Sequence, residues 1–379
     1  MKDKKKKKGS TLWFSIVTGM VSGVGAFLLA MFIDIANNYE EDTFIPLFLM
    51  AISGAMVSFI IHIVVHELGH LVFGLLTGYK FSSFRIGSLM LIKTEDKLKF
   101  CKYSLAGTGG QCLLMPPKNH KKKPYILYNL GGIFFNLIFS AIIVAIIPLC
   151  SHIIAKAVLA GVAFGGVVTA TCNAVPSASV DNDGSNTVAI GKDPYAIDAF
   201  YNQMEINYYI SLGKSLKDIP LDLFYLPENA NLNNKIISAI AVQRCNVYMF
   251  DMEIEKTYTE MKRLLSSEAT LATIYYSLLK VECAYCEMVT ENRKNVVDEF
   301  LDKETNKIIK AMHTNPSIVR FNYAYELFYN NNIQEADKYL DKFEKVAKNF
   351  PYPSLLDNER DLMNYAKEKY STATANLSN

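Results

Sequence analysis

Five consecutive residues, His66-Glu67-Leu68-Gly69-His70, have the types and the spacing of a catalytic metal site. On a helix, side chains four residues apart lie on one face, so the imidazoles of His66 and His70 can bind one ion. Zinc suits nitrogen ligands, and a catalytic zinc site takes three protein ligands and a water. Glu67 is then placed to accept a proton from that water, whose pKa zinc lowers to about 7. The pattern predicts a zinc site with Glu67 as general base.

The motif lies inside a long apolar segment, and this setting makes a functional role more specific. Two histidines and a glutamate within a membrane span are costly unless they serve a function or are paired. The alternative is structural, with the three groups satisfying one another inside a helical bundle. His62 lies one turn earlier on the same face. It is either an additional ligand or, as we favour, a histidine that forms hydrogen bonds or lines the wall.

A third ligand must come from another part of the chain. Candidates follow the last apolar segment, where Asn173-Ala174-Val175-Pro176 precedes Asp181-Asn182-Asp183-Gly184. Pro176 ends or bends the helix, and irregular backbone at membrane depth is tolerated only where it lines a cavity. Either aspartate beyond this break would complete a zinc site. Taken alone, the segment is equally well explained as a helix exit with an Asp-Gly turn.

Four apolar segments are long enough to cross a bilayer, which requires about 20 residues. They cover about residues 11–35, 44–76, 126–149 and 153–175. Because cytoplasmic loops carry an excess of lysine, the clusters at Lys4–Lys8 and Lys118–Lys123 are expected on the cytoplasmic side. The histidine motif then lies in the cytoplasmic half of the second span, and both termini are cytoplasmic.

The rest of the chain predicts a small β element and a separate helical domain. Residues 79–117 contain short apolar stretches with a hairpin turn at Thr94–Lys97, which we interpret as strands at the membrane edge. Residues 315–346 predict two helices joined by a turn at Asn330–Asn332, and they resemble one tetratricopeptide (TPR) pair. Two further segments predict antiparallel helix pairs, although a generic bundle explains them equally well. They are residues 237–265 and 271–312.

Together these segments predict an α-helical protein in two domains. Residues 1–190 would form a polytopic membrane bundle of four transmembrane helices with the small membrane-edge β element. Residues 191–379 would form an all-α, TPR-like cytoplasmic domain. The chain has 39 basic and 37 acidic residues, a balance that argues against binding to nucleic acid.

In combination, the motifs resemble the site-2 protease family of intramembrane metalloproteases, peptidase family M50. The His66–His70 sequence matches the family's first motif. Residues 131–136 in the third span are similar to its Gly-Pro-x-x-Asn element, with Ile133 at the proline position. Asn173-Ala174-Val175-Pro176 and Asp183-Gly184 resemble its last element.

This resemblance, which covers about residues 44–190, implies that an aspartate of the last element is the third zinc ligand. The family's usual spacing of eight residues from Asn173 falls on Asp181, whereas Asp183 is followed by the expected glycine. We favour Asp183, because glycine permits a close approach of the backbone to the metal. Asp181 remains the alternative ligand or a hydrogen-bonding partner of the site.

The resemblance further implies a zinc metalloendopeptidase that cleaves a transmembrane or signal-peptide-derived segment within the lipid bilayer of a cell membrane. Residues 79–117 would hold the unwound substrate by strand pairing, and Asn173 would bind its backbone. The helical domain would recognise the substrate or a partner protein. The alternative is a non-catalytic membrane receptor or immunity protein with a structural zinc site. The Lys-, Asn- and Ile-rich composition favours a bacterial source.

Overall fold

Three apolar segments form long helices in the computed structural model, which describes residues 25, 33–34, 37, 44–105, 108–118, 124–176, 182–267, 269–271 and 273–378. The helices are α1 (Phe44–Leu76), α2 (Tyr125–Ile146) and α3 (Ile153–Ala174). Within the described residues these three are long and apolar enough to cross a membrane. Helical backbone satisfies its own hydrogen bonds, as a bilayer requires. The first expected span, residues 11–35, lies almost wholly outside the described residues, so a total of four stays a prediction.

Glycines let the three apolar helices pack closely against one another. A Cβ atom on Gly161 of α3 would collide with the carbonyl oxygen of Ala51 in α1. A Cβ atom on Gly69 of α1 would likewise collide with the backbone of Gly131 in α2. Small residues of this kind allow helix backbones to approach closely in membranes, where van der Waals contact drives association.

A small antiparallel sheet follows α1 in the chain. Its strands are β1 (Lys80–Ile86), β2 (Leu89–Lys93), β3 (Leu98–Lys102) and β4 (Gly110–Met115), in the order β3-β2-β1-β4. The backbone N–H of Thr94 donates to the carbonyl oxygen of Lys97 at 2.9 Å, which closes the turn between β2 and β3. The predicted hairpin at Thr94–Lys97 is confirmed.

The described chain divides into two compact units. The first contains the three apolar helices together with residues 109–112 and 182–188. The second contains residues 81–108, 113–116 and 189–378. Most of the sheet thus belongs to the second unit, while the first residues of β4 belong to the first.

Helices dominate the second unit. Their bounds are α4 (Asp183–Gly191, which begins in the first unit), α5 (Pro194–Ser211), α6 (Lys235–Phe250), α7 (Ile254–Ser266), α8 (Thr273–Thr290), α9 (Lys294–Phe300), α10 (Lys303–Ala311), α11 (Pro316–Ala324), α12 (Ile333–Ala347) and α13 (Pro353–Ser378). Residues 325–329 form a π-helical turn between α11 and α12. The two helices predicted within residues 315–346 are confirmed, whereas their TPR-like packing stays a prediction.

The prediction of one helix pair over residues 271–312 is wrong, because three helices fill this segment. Asn292 adopts a positive φ of 51°, which ends α8. Asp302 then starts α10, since its side chain accepts a hydrogen bond from the Thr305 N–H at 2.8 Å. Two local stop signals therefore divide what hydrophobic periodicity alone suggested was a simple hairpin.

A buried carboxylate at the end of α8 should make the stability of the second unit depend on pH. Glu287 accepts two hydrogen bonds from the Arg293 guanidinium, both at 2.9 Å, and one from the Tyr258 hydroxyl at 2.7 Å. The hydrogen bonds from Arg293 lower the pKa of Glu287 from 4.5 to about 2. A carboxylate with a depressed pKa contributes stability above its unfolded pKa and loses it as the pH falls through its folded pKa.

We therefore expect Glu287→Gln to destabilise the protein most at pH values above 4.5, and progressively less as the pH falls towards about 2. The measurement is the free energy of unfolding of both proteins in detergent across this range, because the difference between them removes the contribution of other carboxylates. A difference that stays constant with pH would contradict the assignment.

Candidate metal centre

Three side chains that can bind a metal converge within the first unit. His66 Nε2 lies 2.9 Å from Asp183 Oδ2 and 3.2 Å from His70 Nε2. The third distance, from His70 Nε2 to Asp183 Oδ2, is 3.4 Å. Both histidines are buried and the aspartate is half-buried. The expected pair of ligands on α1 and the favoured aspartate are thus brought together.

The spacing of these atoms suits a tetrahedral ion. Zinc bonds of about 2.0–2.1 Å place neighbouring ligand atoms about 3.3–3.4 Å apart in a tetrahedral site. In the part of the chain that the structure describes, Asp183 Oδ2 is buried and has no hydrogen bond. If the Nε2 atoms of both histidines are unprotonated, three lone pairs face one another, and a cation would relieve their repulsion. The donor set of two nitrogens and one carboxylate oxygen fits zinc.

A backbone carbonyl fixes the orientation of His70. Its Nδ1 atom lies 2.8 Å from the carbonyl oxygen of Tyr128 in α2, and only a protonated Nδ1 can donate to that oxygen. The lone pair of a neutral His70 is then on Nε2, the atom that faces the cluster. The Tyr128 hydroxyl in turn donates to the carbonyl oxygen of Cys112 at 2.6 Å, which connects α2 to β4.

Asp183 is held at the start of α4 by its neighbour Asn182. The Asn182 side chain donates to the carbonyl oxygens of Cys172 at 2.8 Å and Val175 at 2.7 Å, at the end of α3. Its Oδ1 atom accepts a hydrogen bond from the Ser185 N–H at 2.9 Å. Asn182 therefore caps α4 and binds it to α3 at once. Sequence reasoning missed this residue, although Asn is a preferred residue at the start of a helix.

Gly184 serves a purpose different from the one expected. A Cβ atom at this position would collide with the carbonyl oxygen of Ala174, the last residue of α3. The glycine therefore permits α4 to approach the end of α3 closely. Asp183 was favoured because its glycine was expected to permit a close approach to the metal, and this expected reason is not the one that the structure gives.

Asn173 and His62, two other residues considered for the site, are not part of the cluster. Asp181 lies outside the described residues. Asn173 is half-buried on α3, where its side chain donates to the Thr169 carbonyl oxygen at 2.9 Å within the same helix. His62 directs both ring nitrogens at partners other than the cluster, which are Asn136 and the Val162 carbonyl oxygen.

Two glycines make room for the functional side chains of α1. A Cβ atom on Gly132 of α2 would lie 2.5 Å from Nδ1 and Cε1 of the His66 ring. A Cβ atom on Gly110 of β4 would lie 2.6 Å from Oε1 and Cγ of Glu67. Real Cβ atoms do not come this close to their neighbours, so at each position glycine leaves the space that the neighbouring side chain occupies. Neither role followed from the sequence pattern.

Comparison with known proteins agrees with this geometry. The model of peptidase family M50 matches residues 54–345, most of the chain. The chain belongs to this family, the site-2 proteases. No curated protein and no solved structure matches the chain. The M50 match extends well past residue 190, where the expected resemblance ended, and includes many of the helices of the second unit. M50 members are zinc metallopeptidases, and the chain is a membrane protein.

The two glycines generate a paired prediction. Gly132→Ala should weaken zinc binding by at least tenfold, because the new methyl group displaces the His66 ring. Gly110→Ala is the matched control, since it adds the same group beside Glu67 and should leave zinc affinity unchanged. Competition with a zinc chelator on the detergent-purified variants measures both. Equal zinc affinity in the two variants would contradict the assignment of His66 as a ligand.

Proposed function

We propose that this M50 protein is an intramembrane zinc metalloendopeptidase that hydrolyses a transmembrane or signal-peptide-derived segment. The observation that carries the proposal is the convergence of His66, His70 and Asp183 beside Glu67. His66, Glu67 and His70 all lie within α1, an apolar helix of membrane-spanning length. Buried ionisable groups at this depth are expensive and usually functional.

Each side chain has a defined part in the proposed reaction. His66, His70 and Asp183 hold the ion. Zinc bound there supplies a Lewis acid and makes water acidic near neutral pH. Glu67 accepts the proton of the attacking water, and the protonated carboxyl group then donates to the leaving amine. Glu67 is buried, with 8% of its surface exposed, so this proton is kept away from bulk solvent.

The first residues of β4 are suited to present the substrate. β4 is an edge strand of the described sheet, and Gly110 lies beside Glu67. A substrate helix must unwind before cleavage, because its amides are buried and bonded internally. The resulting extended backbone can pair with an exposed strand edge. We assign Asn173 a further hydrogen bond to this backbone, which requires it to leave the Thr169 carbonyl oxygen.

The remaining predictions complete the proposal. Residues 1–190 form the protease domain, multi-pass with both termini in the cytoplasm, and residues 191–379 form a cytoplasmic domain that binds the substrate's tail or a partner protein. Membership of a peptidase family disfavours the alternative, a non-catalytic receptor or immunity protein with a structural zinc site.

The central prediction concerns the proposed general base. Glu67→Gln should retain zinc and lose cleavage by about 10²–10⁴-fold, because the amide cannot accept the proton. Comparison of membrane peptides between cells with the variant and with the wild type should show uncut substrate accumulating in the variant. If no peptide accumulates while zinc is retained, the metal site is structural and the receptor alternative gains support.

A second prediction decides between the two aspartates. Asp183→Asn should abolish stoichiometric zinc binding, because an amide oxygen is neutral and a poorer ligand for zinc. Asp181→Asn is the matched control and should bind one zinc per chain. Zinc content after dialysis measures both variants, and the reverse pattern would assign the ligand to Asp181.

A further inference from the structure

Three polar side chains form a continuous row through the first unit, from α3 across to the metal centre. His62 Nε2 lies 3.0 Å from the carbonyl oxygen of Val162, and His62 Nδ1 lies 3.0 Å from Asn136 Oδ1. Asn136 Nδ2 in turn lies 3.3 Å from His66 Nδ1. The first two side chains, His62 and Asn136, are fully buried and are not metal ligands.

Hydrogen positions along this row depend on one another. The Val162 carbonyl oxygen can only accept, so His62 must donate to it from Nε2. A neutral His62 then has its lone pair on Nδ1 and needs a donor there. Asn136 provides that donor only if its amide nitrogen and oxygen exchange the positions given above, so that the nitrogen faces His62 and the oxygen faces His66 Nδ1. The oxygen and nitrogen of an amide are exchanged by a half-turn of the group, and the hydrogen-bond network decides between the two orientations.

This orientation is the one that a metal ligand at position 66 requires. An amide oxygen opposite His66 Nδ1 accepts a hydrogen bond, so the ring proton is on Nδ1 and the lone pair is on Nε2. Nε2 is the atom that faces His70 and Asp183. With the opposite orientation, the amide nitrogen would donate to His66 Nδ1 and leave the proton on Nε2. In addition, the lone pair of His62 Nε2 would face the Val162 carbonyl oxygen.

We propose that His62 and Asn136 are positioning residues that hold His66 in the tautomer able to bind the metal. The proposal rests on the proposed function, because it presumes that His66 is a ligand. The carbonyl of Val162 sets the proton on His62, His62 sets the orientation of Asn136, and Asn136 sets the proton on His66. His70 needs no such row, since the Tyr128 carbonyl oxygen faces its Nδ1 directly.

Gly166 of α3 leaves space for the His62 ring and for the neighbouring Ser140 hydroxyl. A Cβ atom on Gly166 of α3 would lie 2.6 Å from His62 Nε2, so the glycine accommodates the imidazole. Ser140 lies one turn from Asn136 on α2 and is also buried. Its hydroxyl has no hydrogen-bond partner within the described chain. Ser140 thus supplies a control position of similar depth that is outside the row.

The first test is zinc affinity, measured by chelator competition on the detergent-purified full chain. His62→Phe and Asn136→Leu should each weaken binding by about 10–100-fold, the usual effect of removing a hydrogen-bond partner of a ligand. His62→Gln, which retains an acceptor and a donor, should recover most of the affinity. Ser140→Ala should match the wild type.

The second test reads the tautomers directly, and its main measurement is made on the wild-type protein. In the zinc-loaded wild type with ¹⁵N-labelled histidine, NMR should show His62 protonated at Nε2 alone and His66 protonated at Nδ1. The spectrum of His62→Phe identifies the His62 signals. In the zinc-free His62→Phe protein, His66 should become a mixture of tautomers, a change that a merely structural role for His62 would not cause.

The outcomes separate this inference from the proposed function. If the wild type binds zinc and both His62→Phe and Asn136→Leu bind it equally well, the row has no positioning role and the inference is overturned alone. A His62 ring protonated at Nδ1 in the zinc-loaded wild type would overturn it as well. If the wild type binds no zinc, the metal centre and the inference both fail.

Discussion

The candidate metal centre depends on one constraint, which is that polar groups buried in an apolar bundle must have partners. An unpaired polar group in hydrocarbon costs several kcal/mol, so each imidazole and amide inside the bundle is directed by what it can bond to. The Tyr128 carbonyl oxygen fixes the His70 ring in this way, and the end of α3 fixes Asn182. The apolar surroundings therefore orient the site more strictly than water would, because few competing partners are available.

Close packing of the helices is the second requirement, and glycine provides it. Gly69 and Gly131 bring α1 and α2 into backbone contact, and Gly132 accommodates the His66 ring. A larger residue at any of these positions would separate the helices or displace the ring. The glycines thus determine both the distance between the helices and the space in which the ligands meet. This dual use explains why residues without functional groups are concentrated around the site.

Much of the first unit could be predicted from the sequence, because its signals are local and strong. The bounds of α1 and α3 agree with the expected spans, since a long apolar run has few alternatives to a transmembrane helix. The spacing of His66 and His70 similarly needs only helical geometry. The hairpin at Thr94–Lys97 followed from a polar turn between short apolar runs.

The features that could not be predicted are long-range contacts. The row from Val162 to His66 joins three helices across 100 residues of sequence, and no local pattern marks Asn136 as the link between two histidines. Gly184 was expected to permit a close approach of the backbone to the metal, but it permits a close approach to the end of α3 instead. The prediction of one helix pair over residues 271–312 failed for a different reason, because the stop signals at Asn292 and Asp302 were weak beside the hydrophobic periodicity.

The two histidines proposed as ligands are consequently held by unequal means. His70 bonds to a main-chain oxygen, whose position is fixed by α2 and does not depend on any side chain. His66 bonds to an amide that can present either of two atoms, so its orientation requires a further side chain to remove the ambiguity. Side-chain substitutions can therefore alter the support of His66, whereas that of His70 changes only if the helix backbone moves. The more adjustable histidine is also the one beside Glu67. Variation within the bundle can thus tune the metal centre at the side where the proposed proton transfer takes place.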